Sequence, residues 1–165
     1  MPKKKLPNIL LIFPDQMRRH AKGCSGNEQV KTPSLDKLAS EGVYFTNCIA
    51  NCPVSTPDRA VLLTGKYPLS NGTLVNDLPL STKQTTIAEV LRDAGYRTGY
   101  IGKWHLDGIP RSKFTPPGPR RQGFDNYWAG YECHHQYFGT KYYLDTPQLV
   151  RAKGYEPDIQ TNLAV

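Results

Sequence analysis

The run Asn8-Ile9-Leu10-Leu11-Ile12-Phe13 constrains the fold most. After Asn8 it is continuously apolar and rich in branched side chains. An alternating pattern would give one face to water. A continuous one asks for cover on both faces, which predicts a buried parallel strand in an α/β sheet. Pro14 ends the run, so Asp15 and Gln16 are expected just past the strand's C-terminal end. Open α/β sheets place ligand sites there.

Helix and strand signals alternate downstream. Thr32 to Gly42 reads as a short helix: Thr32 caps, Pro33 takes the first position, Leu35 and Leu38 make an inward stripe, and Gly42 closes it. Val43 to Ile49 is the next strand candidate. In Cys52 to Pro68, Ser55 or Thr56 can cap a helix, Pro57 suits its first position, and no breaker follows until Gly65. A hydroxyl at a helix start lies among free backbone N–H groups and the positive end of the dipole, a place for an anion. Arg59 is one turn on and can face the same way. Residues 69–84 form a polar loop. Thr86 and Glu89 make a capping box, Ile87, Val90 and Leu91 a buried stripe, and Gly95 a stop. Tyr96 to Ile101 reads as a strand leading into Gly102-Lys103-Trp104-His105. Strand, helix, strand is a βαβ unit. On an extended chain Lys103 and His105 point the same way, at the sheet edge expected for Asp15. A cation to hold an oxyanion and an imidazole to move protons serve ester hydrolysis.

A chain of 165 residues supports one domain with a core, and the net charge of +7 fits an anionic substrate better than nucleic acid, for which no motif appears. Part of that charge is Lys3 to Lys5, read as a solvated tail. No apolar run is long enough for a membrane span. No signal peptide is read at the N-terminus, so the sequence as written is expected in the cytoplasm, whereas a removed signal would place the protein in the periplasm or outside the cell. The cysteines at 24, 48, 52 and 133 lack zinc spacing; Cys48 and Cys52 read as buried thiols rather than a pair.

The last third begins with a basic, proline-rich irregular loop over 106–121. An aromatic and histidine-rich run follows: Tyr131-Glu132-Cys133-His134-His135-Gln136-Tyr137-Phe138. Sugar rings stack on such aromatics, and His134 and His135 can bond hydroxyls; packing of an ordinary loop accounts for it equally. A zinc site at the two histidines lacks a third ligand. Gly154 to Asp158 leads into a helix expected near Thr161.

Two stretches together resemble the type I, formylglycine-dependent sulfatases of the alkaline-phosphatase superfamily. The first is Ser55-x-Pro57-x-Arg59 followed by Leu63-Thr64-Gly65 and Tyr67-Pro68; the second is Gly95 to His105, with Gly102-Lys103-Trp104-His105 at its end. Thr32-Pro33 to Asn47 and Gly123-Phe124-Asp125 are similar to further family segments, and Glu132-Cys133-x-His135 to a stretch in some carbohydrate sulfatases. The resemblance implies the N-terminal part of an alkaline-phosphatase-like α/β fold, a mostly parallel sheet flanked by helices, within a larger enzyme. It implies that Ser55 is the precursor of Cα-formylglycine, made by a maturase. Ser in place of the commoner Cys fits the serine-type sulfatases or a Cys→Ser replacement. Asp15 and Gln16, with position 55, would hold Ca²⁺, Gln16 standing where the family has a second Asp. Arg59 would hold the hydrated aldehyde, Lys103 would neutralise sulfate and His105 would act as base. The implied activity is hydrolysis of sulfate esters, carried on a small molecule or glycan. A phosphonate or phosphodiester hydrolase of the same superfamily, and an inactive module that grips anionic glycans, are the alternatives.

Overall fold

The computed structural model describes residues 6–165. The Lys3 to Lys5 tail lies outside the described residues. The chain divides into two compact units, Met1–Cys48 and Ile49–Val165.

Among its described residues the first unit has one α-helix, α1 (Pro33–Glu41), after 3-10 turns at Arg19–Ala21 and Gly23–Ser25. Pro33 opens α1 as expected, but Thr32 does not cap the backbone. Its hydroxyl donates to Asp36 Oδ1 at 3.0 Å and accepts from the Gly23 N–H at 2.9 Å. Leu35 and Leu38 stay exposed rather than inward. Both strands expected here are absent: residues 8–13 and 43–49 form no ladder, and Leu10, Ile12, Val43 and Ile49 are about four-fifths exposed, at 79%, 79%, 82% and 84%. Strand structure belongs to a pair. Its ladder hydrogen bonds must come from a neighbouring segment, so an apolar composition alone does not make a run extended.

The second unit carries α2 (Ser55–Thr64), α3 (Pro68–Asn71), α4 (Ile87–Asp93), β1 (Gly99–Lys103), β2 (Tyr127–Tyr131), β3 (Lys141–Tyr143), β4 (Leu149–Arg151) and α5 (Glu156–Ala164). The sheet order is β1-β2-β3-β4. β1 and β2 run parallel, with Gly99 opposite Tyr127 and Lys103 opposite Tyr131, while β2/β3 and β3/β4 are antiparallel. The α/β class stands, and the described sheet is mixed rather than mostly parallel.

The Thr86 capping box forms: the Glu89 N–H donates to Thr86 Oγ1 at 3.3 Å and the Thr86 N–H to Glu89 Oε2 at 2.9 Å. The Thr86 hydroxyl also donates to Gln122 O at 2.6 Å. That bond brings Gly123 onto the helix start, where a Cβ would lie 2.6 Å from Glu89 N at φ 90°. The close approach turns Ala88 to the core and leaves Ile87 and Val90 exposed, opposite to the expected stripe. β1 begins at Gly99, later than expected. The Tyr96 N–H still bonds back to Leu91 O, and Thr98 is tied to Asn126 and Gly123. α5 begins at Glu156, ahead of Thr161, because Pro157 suits its first turn.

Ala60 and Leu63 of α2 pack with Leu80, Trp104, Leu106 and Trp128, and Tyr100 and Phe124 join them. The Trp104 ring meets Tyr100, Phe124 and Trp128 edge-on. This core fixes α2 against the end of β1. No helix among the described residues is long and apolar enough to cross a membrane. The four cysteines are free thiols, with Cys48 exposed rather than buried.

Candidate active site

Ser55 is the first residue of α2, with Val54 as N-cap, so neither Ser55 nor Thr56 caps and Pro57 is the third helical residue. The helix ends at Gly65, in left-handed backbone at φ 65°. The four-residue spacing carries Arg59 back over Ser55, and its Nε–H donates to Ser55 Oγ at 3.4 Å. Arg59 is buried, at 6% exposure. Its Nη1 donates to Lys103 O at 2.5 Å and Tyr100 Oη at 3.2 Å. The Tyr100 hydroxyl donates to the same carbonyl. The guanidinium therefore ties the start of α2 to the end of β1.

Lys103 closes β1 and is buried. His105 does not continue the extended chain: its φ is 53°, and its ring turns to Ser55. Nδ1 lies 3.0 Å from Ser55 Oγ, and Nε2 lies 2.8 Å from Asp77 Oδ1. Burial pushes the imidazole pKa below its ordinary value; the Asp77 hydrogen bond pulls it up, and Lys103 adds to the fall. Asp77 in turn receives two bonds from Arg111, Nε to Oδ1 at 2.8 Å and Nη2 to Oδ2 at 2.7 Å. Arg111, then His105, hold its carboxyl well below the usual carboxylate range. Thr56 fixes the backbones beneath. Its hydroxyl donates to His105 O at 2.9 Å and accepts from the Asp77 N–H at 3.2 Å, while its own N–H donates to Asn76 Oδ1 at 2.9 Å.

The structure thus gathers Ser55, Arg59, Lys103 and His105 at the junction of α2 and β1. Asp77 and Arg111 complete the cluster and carry no sequence signal of their own. Asp77 sits in the 69–84 loop and Arg111 in the basic loop, and only the fold brings them to His105. Asp15 and Gln16 belong to the first unit, where they are exposed at a bend. Their oxygen donors suit a hard cation. The described residues contain no group of three or more His, Cys, Asp or Glu placed to hold a metal.

His134 and His135 separate. His134 is half-buried and stacks on Tyr131 with ring centroids 3.8 Å apart, while His135 is exposed. Burial lowers the His134 pKa against the pull of Glu156. The Tyr131 hydroxyl donates to Glu156, which also accepts from Gln160 Nε2 at 2.7 Å. His134 lines an open cleft of about 410 Å³ together with Arg111, Tyr131, Glu132 and Lys141. Arg111 therefore borders the cleft and reaches Asp77 as well.

Residues 7–162 match the Sulfatase family model. An ulvan-active sulfatase of Formosa agariphila is 50% identical over 152 residues, 92% of this chain and 29% of that protein. An N-acetylglucosamine-6-O-sulfatase of Bacteroides thetaiotaomicron is 36% identical over 164 residues, 98% of this chain and 27% of that protein. The chain thus spans under a third of either relative. A structure in complex with its substrate D-glucosamine-2-N,6-O-disulfate superposes with TM-score 0.74 at 36% identity, over 88% of this chain and 28% of that one. A structure solved in work on the metabolism of multiple glycosaminoglycans by Bacteroides thetaiotaomicron superposes with TM-score 0.82 at 28% identity, over 92% of this chain and 38% of that one.

Proposed function

The chain belongs to the sulfatase family, and from that premise we propose that it carries part of the catalytic site of a hydrolase for sulfate esters of carbohydrates. The observation that carries the reading is Ser55 at the start of α2, met by Arg59 Nε at 3.4 Å and His105 Nδ1 at 3.0 Å. A formylglycine made from Ser55 by a maturase supplies the nucleophile as its hydrate. Arg59, locked onto β1, orients that group and offsets negative charge on it. Lys103, at the end of the same strand, neutralises sulfate as it binds. His105 Nδ1 faces position 55 at the distance needed to take a proton from a hydroxyl there.

Asp15 and Gln16 are proposed as ligands of Ca²⁺. Their oxygens suit a cation that takes six to eight such donors, and the bound metal supplies Lewis-acid polarisation. His134 and His135 are proposed to contact the sugar, His134 from the wall of the cleft. Sulfatases acting on ulvan and on N-acetylglucosamine among the relatives support a sulfated carbohydrate.

The test pairs two measurements on protein co-expressed with a serine-type maturase. Mass analysis of the Ser55 peptide is expected to show loss of two hydrogens. A sulfated glycan is expected to turn over faster than a phosphate diester. Intact serine under those conditions, or faster diester cleavage, would overturn the reading.

A further inference from the structure

Resting on the sulfatase reading, we propose that Asp77, clamped by Arg111, is a positioning residue that fixes the tautomer and direction of His105. The argument begins with donors and acceptors. Arg111 has no acceptor and gives two N–H bonds to Asp77, one to each oxygen, at 2.8 and 2.7 Å. A carboxylate so held is acceptor-only. The ring nitrogen facing it at 2.8 Å, His105 Nε2, must then carry the proton. A neutral imidazole has one N–H, so Nδ1 is left with a lone pair. That lone pair is 3.0 Å from Ser55 Oγ.

The opposite tautomer would place a lone pair against a carboxylate and an N–H against the hydroxyl that has to give up its proton. With Nε2–H fixed, a proton moves from the hydroxyl at position 55 to Nδ1. The ring becomes imidazolium without losing its Nε2 proton, and the new charge meets the Asp77 carboxylate. The backbone supports the same role. Asp77 and His105 are two of three non-glycine residues at positive φ among the described residues, at 69° and 53°. The Thr56 hydroxyl bonds both their main chains. Asp and His are among the residues that enter this region most readily, so the pair is built in rather than incidental.

Three proteins test it, with His105→Gln as a fourth for signal assignment: the parent, Asp77→Asn and Arg111→Met. Asn tolerates left-handed backbone as Asp does, and Arg111 is half-exposed, so both variants keep the fold. The imidazole nitrogens are read by ¹⁵N NMR at pH 8 with ¹⁵N-histidine labelling, His105→Gln assigning the signal. The parent is expected to show His105 protonated at Nε2. In Asp77→Asn the Nδ1–H form is expected to grow, with kcat falling on the order of 10²- to 10⁴-fold and KM nearly unchanged. Arg111→Met is expected to shift both readouts in the same direction by less. Nδ1–H in the parent, or an Asp77→Asn protein with parental tautomer and kcat, would overturn the proposal. The tautomer is read without substrate. A wrong reaction would leave it intact and abolish sulfate release in the parent; a wrong positioning role would do the reverse.

Discussion

Asp77 and His105 both stand in left-handed backbone, and their side chains meet at 2.8 Å. Left-handed backbone raises the energy of any residue with a Cβ, so a site that uses it twice must be held from outside. The Thr56 hydroxyl does this from the first turn of α2, where it joins His105 O to the Asp77 N–H. The helix that presents Ser55 thus also fixes the two loops that face it.

Ser55→Ala removes an oxygen that both Arg59 and His105 approach. Sulfate release is expected to fall on the order of 10⁴-fold or more, as for loss of a nucleophile. The helix start keeps its backbone bonds, so thermal unfolding should stay within about 0.5 kcal/mol of the parent.

Asp15→Ala is expected to weaken Ca²⁺ binding measured by calorimetry at least 10-fold, since it deletes the charged donor and leaves the Gln16 carbonyl. Unchanged affinity would remove Asp15 from the ligand set.

Glu132 ties stability to pH. It is buried at 1% exposure, accepting from the Asp107 N–H and the Thr115 hydroxyl, both at 3.1 Å. Burial pushes its pKa from 4.5 to about 7. The folded state therefore binds more protons than the unfolded chain between those values, and stability falls as pH rises from 4.5 to about 7, then levels off. The loss is on the order of 3 kcal/mol at 1.36 kcal/mol per unit. Glu132→Gln, whose oxygen can accept from the Asp107 N–H while its NH2 donates to the Thr115 hydroxyl, should remove that slope in denaturant titrations and be the more stable protein at pH 8.

Gly123→Ala sets a Cβ 2.6 Å from Glu89 N in backbone that disfavours one. A loss of about 2 kcal/mol or more is expected in urea unfolding. Thr86→Ala, which breaks the capping box and strips a donor from Gln122 O, should cost about 1 to 2 kcal/mol.

The sequence alone determined the elements whose causes are local. The Thr86–Glu89 box, the stop at Gly65, the helix after Pro33 and the turn of Arg59 onto Ser55 depend on residues within one or two turns, where spacing fixes geometry. The family signatures named Ser55, Arg59, Lys103 and His105 for the same reason, since each lies inside a contiguous motif. Tertiary structure decided the rest. Residues 8–13 have strand composition and no ladder, because pairing is supplied by another segment and not by side chains. Ala88 rather than Ile87 faces the core because Gly123, distant in sequence, presses on α4. Asp77 and Arg111 lie in loops without a motif, and nothing in their neighbours aims them. Asp77 reaches His105 where the Thr56 hydroxyl joins their two backbones, Arg111 reaches Asp77 from another loop, and such bonds between distant segments exist only once the chain is folded.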